Sequence, residues 1–152
     1  MSTVFADKFK NTSGGNNVKV NQLSGIDTAG SITVQGEGTN TTNLQQGLAK
    51  AWVNFTGITT TATRDSFNIS SLTDAATAAT YPISFTSNMG NADYAGSYFQ
   101  NGSTNDTYNG FNNGWAGGFG TKTAASFGVY SHNNSGGTDT GQNDVIIVGD
   151  LA

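Results

Sequence analysis

From Trp52 to the C-terminus, short segments with apolar alternation are separated by clusters of Gly, Asn, Thr and Asp. Residues 81–87 show the pattern most clearly, because Tyr81, Ile83 and Phe85 alternate with other residues in the period of two of a half-buried β-strand. We predict five further strands, at 52–56, 66–72, 94–100, 124–131 and 145–148. Short strands at this spacing predict an all-β fold whose C-terminal part is a jelly-roll-like β-sandwich.

The composition favours the same fold class. Charged residues make up 11% of the 152 residues, where about 25% is usual. Aromatic residues make up another 11%, which is enough to build a core. A disordered chain would instead combine a high net charge with few aromatic residues. The chain therefore folds, and its polar surface is built from Gly, Asn, Ser and Thr rather than from charges.

Residues 43–52 depart from the β-pattern and predict a short helix. Four apolar residues recur there at helical spacing, so they would share one face of the helix. A helix of this length is marginal alone in water, so its apolar face must be covered. It would pack either on the β-domain of its own chain or on two sister copies in a threefold neck. The second interpretation makes these four the candidate oligomerisation residues: Leu44, Leu48, Ala51 and Trp52.

The first 42 residues form a region that is poor in apolar side chains. They contain three short extended candidates, at 4–10, 17–23 and 31–35, separated by Gly-rich and Ser-rich stretches. So small an apolar set cannot bury enough area to offset the entropy of ordering the chain. We expect this arm to become ordered only against another surface. The predicted organisation is an extended arm at 1–42, a helical neck at 43–52 and a β-sandwich at 53–152.

Charge and hydropathy exclude several classes of partner. The net charge is −4 and no basic patch is present, so we expect no nucleic-acid partner held by phosphate contacts. No apolar run approaches the ~18 residues of a membrane span, so we expect no membrane insertion. The N-terminal residues lack the apolar core of a signal peptide, and the chain has no cysteine. These features suit a product folded in a bacterial cytoplasm and released by lysis, such as a virion component.

The residues predict no catalytic or cofactor site. His132 is the one histidine, no G-x-S-x-G motif is present, and Glu37 is the one glutamate, so neither a hydrolytic triad nor a glycosidase pair is indicated. We therefore expect a protein that is not an enzyme and that needs no cofactor. Three residues near the C-terminus offer oxygen ligands of the kind calcium prefers, but their spacing is not that of an EF-hand, and turn formation explains them without a metal: Asp139, Asn143 and Asp144.

Residues 101–120 are the best candidate for recognition, because aromatic side chains lie there among Gly and Asn. Such a mixture is typical of adaptable binding loops, in which rings stack and amides donate hydrogen bonds. We expect Trp115 and Phe119 to fold back into the core. Four other residues are the receptor-contact candidates: Tyr108, Asn109, Asn112 and Asn113.

Two segments, KAWVNF at 50–55 and RDSFNISSLTD at 64–74, resemble a recurrent segment of tail-fibre-like and virion structural proteins of tailed, notably marine, bacteriophages. The match continues at Met89, Ala92 and Tyr94. The residues that carry it in the first two segments are Lys50, Ala51, Trp52, Val53, Asn54 and Phe55, then Arg64, Ser66, Phe67, Asn68, Ser70, Ser71, Thr73 and Asp74.

The resemblance implies a β-rich, trimeric appendage at the tail or capsid surface of a virion. Our hypothesis is a short homotrimeric fibre or spike that is not an enzyme. Residues 1–42 would attach it to other virion proteins, and the β-domain would project outward to contact a glycan or protein of the host surface. One alternative is a capsid decoration, cement or head-fibre protein. Another is a carbohydrate-binding module, which predicts a stable monomer with affinity for sugars.

Overall fold

The computed structural model describes residues 22–23, 32–35, 39–75, 79–101, 116–133 and 136–152. The chain divides into two compact units, Met1–Asn43 and Leu44–Ala152. The predicted strand at 4–10 lies outside the described residues. So does the one at 17–23, except for Gln22 and Leu23, which are not in a strand.

The first unit contains a two-stranded antiparallel ladder. Strand β1 (Thr33–Gln35) pairs with β2 (Thr41–Asn43), with Val34 opposite Thr42. An isolated pair of strands is marginally stable in water. We therefore still expect the arm to need another surface, which remains a prediction.

The described part of the second unit contains one short helix and nine strands. The helix, α1, spans Leu44–Gly47, and no helix among the described residues is long and apolar enough to span a bilayer. The strands are β3 (Ala49–Thr56), β4 (Ala62–Phe67), β5 (Ile69–Leu72), β6 (Thr80–Phe85), β7 (Ala95–Asn101), β8 (Ala116–Lys122), β9 (Ser126–Asn133), β10 (Gly136–Gly137) and β11 (Gln142–Val148).

The strands of the second unit form two antiparallel sheets, which confirms the predicted all-β, sandwich-like fold. A four-stranded sheet has the order β4-β3-β11-β7. In the five-stranded sheet β9 is central: it pairs with β6 and β8, β5 lies beyond β6, and β10 pairs with the end of β9. The likeness to a jelly roll is limited to the two sheets, because β3–β4, β5–β6 and β8–β9 are consecutive strands paired within one sheet.

The core is filled by alternating side chains from both sheets. Val53 and Phe55 of β3 and Val145 of β11 are buried together with Tyr81 and Ile83 of β6. The rings of Phe55 and Tyr81 meet edge to face, with centroids 5.0 Å apart. Full burial of such a side chain stabilises the fold by about 1.5–3 kcal/mol. The alternation predicted for residues 81–87 is thus confirmed.

The predicted helix at 43–52 is wrong beyond its first turn. Helix α1 ends at Gly47, a poor helix former, and β3 begins at Ala49. Ala51 pairs with Ile147 of β11 and is fully buried, so ladder bonds and core burial outweigh a helix with one apolar face. The β-domain accordingly begins before residue 53.

The predicted strand at 66–72 is two strands in different sheets. Asn68 separates β4 from β5 with a φ of 58°, a left-handed conformation that asparagine tolerates better than most residues. Its amide donates to the carbonyls of Lys50 and Ser87, at 3.0 Å each. A single strand over 66–72 would place Phe67 and Ile69 on one face. Phe67 instead projects from the other sheet into solvent.

Candidate functional site

The outer face of the four-stranded sheet carries a row of large apolar side chains. Trp52 of β3 lies opposite Phe67 of β4 on one side and opposite Ile146 of β11 on the other. Directly paired residues of antiparallel strands project from the same face. Phe67 is 53% exposed and Ile146 47% exposed. We call Phe67, Trp52 and Ile146 the apolar row.

Two further exposed side chains extend the apolar row on the same face. Val148 follows Ile146 by two positions in β11, and Phe99 of β7 lies opposite Asp144 of that strand. A contiguous apolar surface on a globular domain usually marks a site of interaction. The outer face of this sheet is therefore the candidate functional site.

A polar row runs beside the apolar row, one pair of residues further along the strands. Asn54 lies opposite Asp65 of β4 and opposite Asp144 of β11, and its amide donates to the Asp144 carboxylate. The Gln142 amide donates to the other oxygen of that carboxylate at 2.9 Å. Interfaces commonly place such hydrogen-bonded polar groups at the rim of an apolar centre.

The structure separates the four predicted oligomerisation residues. Trp52 belongs to the apolar row, whereas Ala51, its neighbour in β3, points into the core and is 0% exposed. Leu48 is exposed between α1 and β3, and Leu44 is half-buried at the start of α1. The common helical face that grouped them is not formed. Their role in oligomerisation stays a prediction, now centred on Trp52.

The receptor-contact candidates Tyr108, Asn109, Asn112 and Asn113 lie outside the described residues, as does Trp115. Phe119 packs against the core, and its ring centroid lies 5.8 Å from that of Phe127, as predicted.

Strand β7 ends at the opposite end of the four-stranded sheet from α1. Asn101, the last residue of β7, pairs with Gln142 at the start of β11. Ala49, the first residue of β3 after α1, pairs with Val148 at the other end of β11. The second unit therefore begins at one end of the sheet, and the β7–β8 connection leaves from the other.

The three oxygen-bearing residues considered for calcium each bind a different protein partner. Asp139 accepts a hydrogen bond from the Tyr81 hydroxyl at 2.7 Å. Asn143 is buried and accepts from the Tyr98 hydroxyl at 2.6 Å. Asp144 belongs to the polar row. In the described part of the chain no three His, Asp or Glu side chains converge as they would on a metal ion.

The bonds of Tyr81 and Tyr98 belong to a polar network between the sheets, in which Ser131, Thr140 and Asn143 are buried. Thr140 donates to the Asn143 side chain at 2.6 Å, and Ser131 donates to the Thr138 carbonyl at 2.6 Å. Burial raises the pKa of the Tyr81 and Tyr98 hydroxyls. The hydrogen bond to Asp139 raises the pKa of Tyr81 further. Every buried side-chain nitrogen and oxygen among the described residues has a partner. The phenols therefore stay protonated near neutral pH and act as structural donors.

Lys50 ties the start of β3 to α1. Its buried ammonium donates to the Leu48 carbonyl at 2.8 Å and to the Gln45 carbonyl of the helix. Burial lowers the pKa of this amine, and the charge of Asp150 partly restores it. A cation on the terminal carbonyls of a helix stabilises its end, which helps to explain why the helix stops here.

No protein-family model, no curated protein and no solved structure matches this chain.

Phe67 and Ile146 are surface residues that the sequence pattern did not reveal. The predicted strand at 145–148 is apolar throughout, yet Ile146 and Val148 are exposed while Val145 and Ile147 are buried. The sequence signal for these surface residues was β11 itself, a central strand whose residues are apolar on both faces.

Proposed function

We propose that this protein is a structural subunit, not an enzyme, that associates with copies of itself through the apolar row. We further propose that the assembly is a homotrimer and forms a short appendage at the tail or capsid surface of a tailed-phage virion. Self-association is supported by one observation: Ile146, in the central strand β11, is exposed and lies in register with Trp52 and Phe67.

A second copy of the chain is the partner that this surface suits best. Interfaces between identical subunits are more apolar than other protein interfaces. Closed symmetry presents the same patch on every copy, so one row of side chains serves all subunits. The chain carries few charges that could select a different, charged partner, since only 11% of its 152 residues are charged.

The size of the expected interface follows from the energetics. Phe67 and Ile146 are each about half exposed, so completing their burial would favour association by roughly 1 kcal/mol per side chain. Association costs about 4–15 kcal/mol in lost freedom of motion. A stable interface covers about 800 Å² on each partner. We therefore expect Phe99 and Val148 to be buried with the apolar row.

The virion assignment is supported by the resemblance of residues 50–55 and 64–74 to virion structural proteins. Two of the matching residues, Trp52 and Phe67, are members of the apolar row, and a third, Asn68, directs the chain from one sheet to the other. In this proposal residues 1–42 attach the subunit to other virion proteins. The opposite end of the sandwich, where Asn101 lies, faces the host surface.

The decisive experiment compares two substitutions on opposite sheets by sedimentation velocity. Ile146→Asp introduces a charge into the proposed interface and is expected to weaken association at least 100-fold, because the carboxylate would be buried without a partner. Tyr130→Asp, on the outer face of the five-stranded sheet, is the matched control and is expected to sediment like the unaltered chain.

Circular dichroism melting checks whether both variants are folded. Equal sedimentation of Ile146→Asp and the unaltered trimer would refute the proposed interface. A monomeric unaltered chain would refute self-association in solution and would favour the decoration-protein alternative.

A further inference from the structure

A pair of parallel rings lies on the outer face of the five-stranded sheet. Tyr130 and His132 are two positions apart in β9, so they project from the same face. Their ring planes differ by 6°, and their centroids are 5.8 Å apart. Tyr130 is 39% exposed although it lies in the central strand. The pair is remote from the apolar row, which lies on the other sheet.

The Tyr130 ring lies against the backbone of the neighbouring strand. Gly118 of β8 is directly opposite Tyr130. A Cβ atom added to Gly118 would be 2.6 Å from the Tyr130 hydroxyl oxygen and 2.8 Å from ring carbon Cζ. Any side chain at 118 would therefore displace the ring. The glycine leaves room for the ring, and Tyr130 keeps part of its surface exposed.

Gly128 lies beside the ring pair and adds no side chain to the outer face. It precedes Tyr130 by two positions and alternates with the buried residues Phe127 and Val129. A Cβ atom there would meet no heavy atom within 4 Å, and the φ of Gly128 is not in the positive region. Neither packing nor backbone geometry requires glycine, which in a strand interior costs about 0.5–1 kcal/mol. Glycines in a strand mark a bulge or the close approach of a ligand or another backbone. The bulge here lies in β8, opposite Gly128, so Gly128 itself is open to a ligand.

The groups around the rings define the class of ligand. Thr80 and Pro82 of β6 lie opposite Tyr130 and Gly128, and they add a hydroxyl and an apolar ring without any charge. A stacked nucleic-acid base would need a positive groove for its phosphates, and the chain has a net charge of −4. A pyranose ring presents a flat C–H face for stacking and hydroxyls at its edge for hydrogen bonds.

We infer that the Tyr130–His132 ring pair binds a pyranose ring of a neutral polysaccharide. This inference does not rest on the proposed self-association, because the ring pair lies on the other sheet. It also uses residues distinct from the receptor-contact candidates at 108–113.

Affinity electrophoresis of the full chain tests the inference. The gels contain one of four neutral polysaccharides: dextran, laminarin, yeast mannan or a β-galactan. We expect at least one to retard the unaltered chain. Tyr130→Ala should weaken that binding at least tenfold, whereas Tyr130→Phe keeps the ring and should retain it. Tyr130→Phe is therefore the matched control for loss of the ring.

Gly128→Val separates binding from folding. Valine favours strands and has free space at this position, so the melting temperature should be unchanged or higher. The added side chain should nevertheless obstruct the sugar and abolish retardation. Ile146→Asp should still bind, which distinguishes failure of this site from failure of the self-association proposal.

Three outcomes would overturn the inference. The first is that none of the four polysaccharides retards the unaltered chain. The second is that Tyr130→Ala and Gly128→Val both migrate like the unaltered chain. The third is that an oligo-dT strand binds at this face while the polysaccharides do not, which would assign the rings to nucleic-acid stacking.

Discussion

Asn68 shows how one residue determines which side chains reach the surface. Its left-handed backbone, with a φ of 58°, ends β4 in one sheet and lets β5 begin in the other. Its side chain also binds the chain on both sides, because the amide donates to the Lys50 carbonyl and the side-chain oxygen accepts from the Ser87 backbone amide at 2.7 Å. Phe67 is exposed as a direct consequence.

We expect Asn68→Ala to lower the free energy of unfolding by about 2 kcal/mol. Alanine disfavours the left-handed region by roughly 1 kcal/mol, and the lost side-chain bonds account for the remainder. Urea unfolding measures the change. Asn68→Gly is the control, since it accepts the backbone conformation but lacks the bonds, and it should lose about half as much. Equal stability of Asn68→Ala and the unaltered chain would contradict this role.

The buried phenols predict how stability depends on pH. Burial raises the pKa of Tyr81, Tyr94 and Tyr98 above the value of about 10 expected in the unfolded chain. Their stabilising contribution is complete below pH 10 and is lost as the pH rises toward their folded values. Lys50 has a lowered pKa and acts in the opposite direction, but one amine opposes three phenols.

We therefore expect the free energy of unfolding to fall when the pH rises from 8 to 11, as measured by urea titration. Tyr81→Phe should reduce the slope above pH 10 by roughly 1.4 kcal/mol per pH unit, because one phenol no longer ionises on unfolding. A stability that stays constant from pH 8 to 11, or a Tyr81→Phe variant with an unchanged slope, would show that the phenols are not held in a buried network.

At the scale of elements, β3 explains what the sequence could and could not predict. Leu44, Leu48, Ala51 and Trp52 have helical spacing, but the last two also fit the alternation of a strand. The strand forms instead of the helix because β3 pairs with β11, which lies about 90 residues further along the chain. Local periodicity was enough to place β6 and β11, whereas the glycine-rich β8 has too few apolar residues to show a pattern.

Burial predicts effects of different size for two alanines of β3, because the pairing with β11 shifts register between Ala51 and Ala49 at the end of the ladder. Ala51 is buried in the core and Ala49 is exposed. Ala51→Asp would bury an unpaired charge, so it should destabilise the fold by at least about 3 kcal/mol. Ala49→Asp, the matched control, should change the free energy of unfolding by less than about 1 kcal/mol. Thermal melting of both variants measures this, and similar losses at both positions would contradict the observed register.

At the scale of the whole molecule, the fold class was predictable and the candidate site was not. Alternation and turn residues are local, so the all-β, sandwich-like class follows from the sequence. The apolar row combines Phe67, Trp52 and Ile146 from three strands, and only their pairing brings them together. The division of the chain after Asn43 lies one residue from the predicted end of the arm.

The solution mass of the purified chain tests the central claim of self-association most directly. Light scattering at about 10 µM is expected to give three times the monomer mass for the full chain. Residues 44–152 alone should give the same stoichiometry, because the apolar row lies entirely in the second unit. A trimer that is lost on removal of residues 1–43 would move the assembly contacts into the arm. A monomer in both cases would contradict the account.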